Sequence, residues 1–302
     1  MSFIEKQRHG KHSYFYLVKN IRITPTKVKK LRIWLGREIP KQDELQKHFI
    51  ELEKRTMEQY HTKLLPKELV EKIDDLSASI TVFHKTPTNI LPKDFLVRYT
   101  YNTNAIEGNR LTLRQTALVL SDRIAPEGTR TDDVIETLNA VDAWNFIKSY
   151  KNRLNKKFAC KMQYEITKNT SCRIQGNYRD NEVRISGSEH IPPKSTDVPK
   201  LLEELFAEFY SEKRTLHPIE LAALLHNRFV NIHPFTDGNG RSARLLMNWI
   251  LLRNKFPPVI IEVSNKEQYY NAIEEADKGD QKPFAIFLAN QLLSQYTLSL
   301  PD

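Results

Sequence analysis

The sequence predicts a mainly α fold with a small α+β extension in front of it and a β-hairpin flap within it. Three observations carry this. Apolar residues recur at helical spacing from Pro92 onward, aromatic and β-branched residues crowd positions 13–36, and Gly, Asn and Asp punctuate the stretch 176–193. A chain of 302 residues suits one large domain with a smaller appendage, here expected as 1–66 and 67–302. With 40% hydrophobic and 27% charged residues it can bury a substantial core, which argues against disorder.

Taken in order, 14–23 and 27–36 read as two strands of a hairpin around Thr24-Pro25-Thr26. Pro40 precedes a helical pattern with Leu45, Phe49, Leu52 and Met57 on one face, and Leu65-Pro66 breaks it. Helices are expected over 94–106 and 112–121, separated by Glu107-Gly108-Asn109, and over 133–150, where Ile135, Leu138, Val141, Ala143 and Trp144 make a stripe. The stretch 176–193, GNYRDNEVRISGSEHIPP, reads as a hairpin ending in a rigid Pro-Pro turn. Further helices are expected over 198–210, 218–230, 242–252, 266–277 and 283–296. No internal repeat or low-complexity tract interrupts this plan.

The net charge is +9, but Lys and Arg are scattered, with short clusters such as Lys27-Val28-Lys29-Lys30 and no basic tail. That describes a solvated surface better than a nucleic-acid face, so nucleic acid is not the expected partner. Cys160 and Cys172 lie in no CxxC or Cys/His pattern, which excludes a structural zinc site and fits reduced thiols. The first residues lack an apolar signal segment, and no run of about 18 apolar residues occurs. The expectation is a cytoplasmic protein without membrane contact.

The chemistry concentrates in His233-Pro-Phe-Thr-Asp-Gly-Asn-Gly-Arg-Ser-Ala-Arg244, between two helical patterns. Gly238 and Gly240 allow close backbone approach at a helix start, where free N–H groups and the dipole favour an anion. Arg241 and Arg244 can grip phosphate oxygens as forks. Asp237 offers a hard oxygen to Mg²⁺, which is commonly held by one or two carboxylates plus substrate phosphates. His233 suits a general base near neutral pH. A plain Gly-rich turn beside a surface His is the bland alternative, but it does not explain why so many phosphate-handling residues coincide.

This string resembles the Fic family signature, HxFx[D/E]GNGRxxR, and meets it at every specified position. The resemblance spans roughly 95–290 and implies a Fic-type helical core. The family's usual reaction transfers a nucleoside monophosphate from a nucleoside triphosphate to a Ser, Thr or Tyr hydroxyl. By position, His233 would deprotonate the target hydroxyl, Phe235 would anchor the nucleotide-binding loop in the core, and Asp237 would bind Mg²⁺. Gly238, Asn239, Gly240 and Arg241 would form the anion cradle, and Arg244 would hold the outer phosphates of ATP. Stretch 176–193 is similar to the family's flap, so Val183, Arg184 and Ile185 become candidates for docking a target segment by strand pairing. EQYYNAIEEADKGDQKPF is similar to the adenine-side helix, making Tyr269 and Tyr270 candidates for the base pocket. Asp277 stands where many relatives have Asn. Thr103-Asn-Ala-Ile-Glu-Gly matches the inhibitory motif [S/T]xxxE[G/N], so Glu107 is expected to pair with Arg244 and restrain the site.

The expected activity is therefore a Mg²⁺-dependent, autoinhibited protein adenylyltransferase acting on a target protein. Self-modification and a homodimer controlling the inhibitory helix are further expectations from relatives. The alternatives are removal of AMP or transfer of another nucleotide at the same site, and a catalytically silent regulatory protein associated with DNA. No helix-turn-helix signature supports the last.

Overall fold

The computed structural model describes residues 2–22, 26–84, 88–89, 91–185 and 187–297. Three antiparallel strands open the chain, β1 (Ser2–His9), β2 (His12–Arg22) and β3 (Val28–Gly36), in the order β1-β2-β3. The expected hairpin is β2–β3, with Arg22 opposite Val28 and Leu17 opposite Ile33. Its turn residues Thr24 and Pro25 lie outside the described residues. Strand β1 was not anticipated. Its sequence, SFIEKQRH, has only two apolar residues, which are adjacent, and is largely exposed, so it lacks the alternating apolar pattern of a half-buried strand.

The sheet lays Leu17, Ile33 and Leu35 against Leu52 of α1 (Gln42–Met57), forming a small core of its own. Beneath it the buried Lys19 ammonium lies 2.5 Å from the Glu53 carboxylate. Met57 at the end of α1, and Leu65 beyond it, belong instead to the large core.

The rest is helical: α2 (Lys67–His84), α3 (Phe95–Ile106), α4 (Leu113–Ser121), α5 (Thr131–Ser149), α6 (Lys156–Thr167), α7 (Val198–Glu212), α8 (Pro218–Ile232), α9 (Asn239–Arg253), α10 (Lys266–Asp277) and α11 (Lys282–Tyr296). The long helix α9 lies inside the molecule, since all its residues from Arg241 to Leu251 are buried. Its buried face runs all the way round, and its mid-helix polar residues Arg244 and Asn248 are hydrogen-bonded, which is the pattern of a central helix. Helix α8 packs on it and carries a buried Glu220 in its first turn. That carboxylate accepts the backbone N–H groups of Lys63, Leu64 and Leu65 at 2.8–2.9 Å, tying the segment between α1 and α2 to the core. Helices α2 and α6 were not read from the sequence. Among the described residues no helix is long and apolar enough to cross a membrane.

The stretch 176–193 departs from its expected hairpin. Its described residues are bends, one turn position and irregular backbone, with no strand. Arg179 explains the difference, because its wholly buried side chain collects local carbonyls that a ladder would otherwise engage. Nη1 donates to Asn181 O at 3.0 Å and Nη2 donates to Pro193 O, drawing the two ends of the stretch together.

Candidate active site

Helix α8 ends on His233, which caps it in the left-handed conformation at φ 48° and ψ 59°. A non-glycine residue there is strained, and the backbone tolerates it because both neighbours are fixed. The chain then sends Phe235 into the core, fully buried against Tyr178 and Phe229. Gly238, at φ 81°, turns the backbone into α9. Ile166 and Thr167 of α6 crowd the space a Cβ would fill at Gly238, so only glycine fits both the angle and the gap.

Asn239 staples this loop. Its Oδ1 accepts Phe235 N–H at 2.9 Å, and its Nδ2 donates to Phe235 O at 2.8 Å. The amide side chain expected in the anion cradle is thus spent on the loop itself. Phe235 likewise has no surface left for a ligand. What remains open at the start of α9 is backbone, in keeping with an anion site made by a helix terminus.

The His233 ring is partly buried. Its Nδ1 lies 3.3 Å from Val230 O, and a carbonyl only accepts, so the proton sits on Nδ1 and Nε2 keeps a free lone pair. Burial pulls the imidazole pKa down to about 4, with the nearby Arg179 charge adding to the effect and the Val230 bond opposing it. The ring is therefore neutral at pH 7.

Asp237, four residues on in the same loop, is half-exposed. Its Oδ1 accepts Gly238 N–H at 2.6 Å, and its carboxylate lies 3.2 Å from Arg241 Nη2. Arg241 is itself buried and shared, with Nη1 donating to Glu136 Oε1 at 2.8 Å. The other Glu136 oxygen accepts Asn109 Nδ2 at 2.9 Å, just past Gly108. Among the described residues no three His, Cys, Asp or Glu side chains cluster to hold a metal by themselves. A half-exposed carboxylate at a helix start does fit Mg²⁺ arriving with a phosphate chain.

Helix α3 ends on Glu107, and Gly108 at φ 96° reverses the chain after it. The Glu107 carboxylate points at the start of α9 and accepts Arg244 Nη2 at 2.7 Å. Arg244 keeps 2% of its side-chain surface and Glu107 keeps 29%. Burial would raise the Glu107 pKa, but the Arg244 and Arg241 cations outweigh it and hold the carboxyl below its usual range. Arg244 is fully engaged: Nε donates to Thr103 Oγ1 at 3.0 Å, Nη2 to Thr103 O at 2.8 Å, and Nη1 to Tyr269 OH at 3.3 Å. A side chain on Gly240 would collide with the Glu107 carboxylate. The glutamate therefore lies directly over the residue where the cradle should take an anion.

The sequence-derived candidates divide accordingly. His233, Asp237, Gly238, Gly240, Arg241, Arg244 and Glu107 come together. Tyr269, expected to line a base pocket, is 1% exposed, and its hydroxyl bonds His226 Nε2 at 2.9 Å as well as Arg244. It holds the arginine and offers no face to a ligand. Tyr270, 38% exposed, still presents its ring at the surface. Val183 and Ile185 are half-buried and Arg184 is exposed; none lies in a strand, and Ile185 O accepts Ser188 N–H at 3.2 Å.

Two residues escaped the sequence reading. Gln163 is fully buried; its Oε1 accepts Gly176 N–H at 2.5 Å and its Nε2 donates to Asp237 O at 3.2 Å, joining 176–193 to the loop. Arg179 Nε donates to His233 O at 2.8 Å, and Arg179 N–H donates to Pro234 O at 2.9 Å. One arginine in a polar loop sequence gives no signal of such burial. Arg179→Lys is expected to lower stability by about 2–4 kcal/mol in denaturant unfolding, since a single ammonium cannot serve three carbonyls held by a planar fork.

The Fic/DOC family profile matches residues 153–251. The protein adenylyltransferase Fic of Nematostella vectensis is 35% identical over 238 residues, covering 75% of this chain and 54% of that protein. The protein of the same name from Drosophila mojavensis is 33% identical over 234 residues, covering 76% and 46%. The chain thus spans about half the length of these curated relatives. A Fic-domain-containing signaling protein from Bacteroides thetaiotaomicron superposes with a TM-score of 0.64 at 27% identity, covering 77% of this chain and 94% of that one. Residues 134–508 of Fic-1 from C. elegans give 0.68 at 28%, covering 77% and 70%. With its helical core, its intact loop and these relatives, the chain belongs to the Fic/DOC family.

Proposed function

We propose that this site is a protein adenylyltransferase that moves AMP from ATP to a Ser, Thr or Tyr hydroxyl of a target protein, and that Glu107 restrains it. The observation that carries the reading is a neutral His233 with a free Nε2 beside the open start of α9. The name shared by the curated relatives agrees with it.

In the reaction, the target hydroxyl oxygen attacks the α-phosphorus while its proton passes to His233 Nε2. The bond from the α-phosphorus to the bridging oxygen breaks, and pyrophosphate leaves. Backbone amides at Gly238 to Arg241 and the dipole of α9 stabilise the charge on the phosphates. Asp237 would hold Mg²⁺, which would neutralise charge on the phosphate chain. The protein's share is positioning and electrostatics, as for phosphoryl transfer in general.

Glu107 opposes this in two ways. Its carboxylate lies over Gly240, where phosphate oxygens would sit, and it occupies the Arg244 guanidinium that would otherwise be free to meet them. The segment Val183–Ile185, which lies in no strand, would receive a target segment by strand addition, with Tyr270 at the rim of the base pocket. Incubation of the full chain with α-labelled ATP, Mg²⁺ and cell lysate tests the activity. Labelled protein that gives up AMP on phosphodiesterase treatment is expected, and label carried only as free AMP would reject transfer to protein.

The His233 pKa sets the pH dependence. A base depressed to about 4 is fully competent at pH 7 and is lost only as pH falls through that value. The acid limb of kcat/KM for labelling is expected well below the 6.5 of an ordinary histidine, followed while circular dichroism shows the fold intact. A limb centred near 6.5 would contradict a buried base.

A further inference from the structure

Helix α9 carries the catalytic loop at one end and a second polar feature at the other, about 20 Å away along 15 residues. There a cavity of about 980 Å³ opens between the C-terminal ends of α5, α7 and α9. Lys151, Arg153, Lys213, Arg214 and Arg253 line it, and no carboxylate does. None of the five makes an ion pair among the described residues; Lys213 is half-buried and the other four are exposed.

Helix C-termini favour nearby cations, and Arg253 answers that need by donating to Lys151 O at 2.8 Å. This accounts for one cation and leaves four. Aromatic rings hold two of these in place: the Arg153 guanidinium and the Lys213 ammonium each lie 4.3 Å from the centre of the Tyr210 ring. Both are thus ordered before any ligand arrives, so little entropy is lost on binding. Partial burial and the charges of Arg214, Arg153 and Arg253 push the Lys213 pKa down, the mark of cations crowded without compensation.

We propose that this cavity binds a compact multivalent phosphate anion, the size of a di- or triphosphate, independently of the catalytic loop. A concave ring of like charge focuses its field on one small counter-charge. An extended polyanion is disfavoured, because α7 leads away from the cavity with Glu203, Glu204 and Glu208 exposed along it. The Tyr210 ring is covered by cations and Trp249 is buried with its Nε1 donating to Tyr150 O at 3.2 Å, so neither is free to stack on a base.

The test is calorimetric titration of the full chain with inorganic tripolyphosphate, with and without the double change Lys213→Gln, Arg214→Gln. Neither side chain makes a hydrogen bond among the described residues, and a matching melting temperature confirms the fold. Expected is one binding event that weakens with added salt and falls at least about tenfold in the variant. Three results would overturn the proposal: no binding, binding unaffected by the variant, and variant-sensitive binding of a single-stranded dodecanucleotide tighter than that of tripolyphosphate. The second would assign the phosphate to another place, such as the start of α9, and the third would make the partner a nucleic acid.

Discussion

Replacing Glu107 by glycine is expected to raise AMP incorporation by about 10- to 100-fold over the unchanged protein, the range of a typical coupling free energy of 1–3 kcal/mol. The change removes the carboxylate over Gly240 and frees Arg244 from its 2.7 Å partner. It also has a cost, since Arg244 then stays buried with only Thr103 and Tyr269 as partners. Removing one member of a fully buried pair costs about 3–5 kcal/mol. The loss here is smaller because Glu107 is 29% exposed and water already reaches it. The variant should therefore melt below the parent in the absence of ligand and be stabilised more than the parent by Mg²⁺ and ATP, because its cradle is open. Scanning fluorimetry with and without nucleotide reads both effects. Equal labelling by the two proteins would remove Glu107 as a restraint.

The second large effect is at His233. Loss of a positioned general base typically costs 10²–10⁴ in rate, so His233→Ala in the Glu107→Gly background should reduce labelling to near background. Alanine is poorly suited to the left-handed backbone at φ 48°, and part of its effect would come from distortion of the loop. His233→Asn separates the two causes, because asparagine accepts this conformation and carries no basic nitrogen. Both variants should fail to transfer AMP, while the asparagine protein should still bind nucleotide with near-parent affinity. Transfer retained by His233→Asn would show that another group takes the proton.

The catalytic loop was legible because its residues are consecutive. From His233 to Arg244 one short string names the proposed base, the proposed metal ligand, the turn and the proposed cradle, and spacing alone puts them at a helix start. The pairing of Glu107 with Arg244 was legible for the same reason, through a short motif ending at a Gly that reverses the chain. Contacts distributed across the chain were not. Arg179 and Gln163 look like ordinary polar residues, and their roles arise only when 176–193 folds over the loop. The Gly, Asn and Asp of that stretch mark turns whether or not strands lie between them, so the hairpin expectation had no means of detecting Arg179 taking up the carbonyls. The burial of Tyr269 gave no sign in the sequence for a related reason. Adjacent tyrosines on a helix give no signal of which ring faces the core, and here the core contains two polar groups, His226 and Arg244, for its hydroxyl to join. Helix α10 itself has the bounds expected from its periodicity, 266–277. Helices α2 and α6 hide behind β-branched and mixed residues, and their helicity comes from burial against the large core.

The most direct measurement is a crystal structure of the Glu107→Gly protein with a non-hydrolysable ATP analogue and Mg²⁺. The account requires the phosphates on the backbone amides at Gly238 to Arg241, the metal on Asp237, and His233 Nε2 facing the α-phosphorus on the side away from the leaving group. Nucleotide bound elsewhere, or the His233 ring turned away from the phosphate chain, would contradict it.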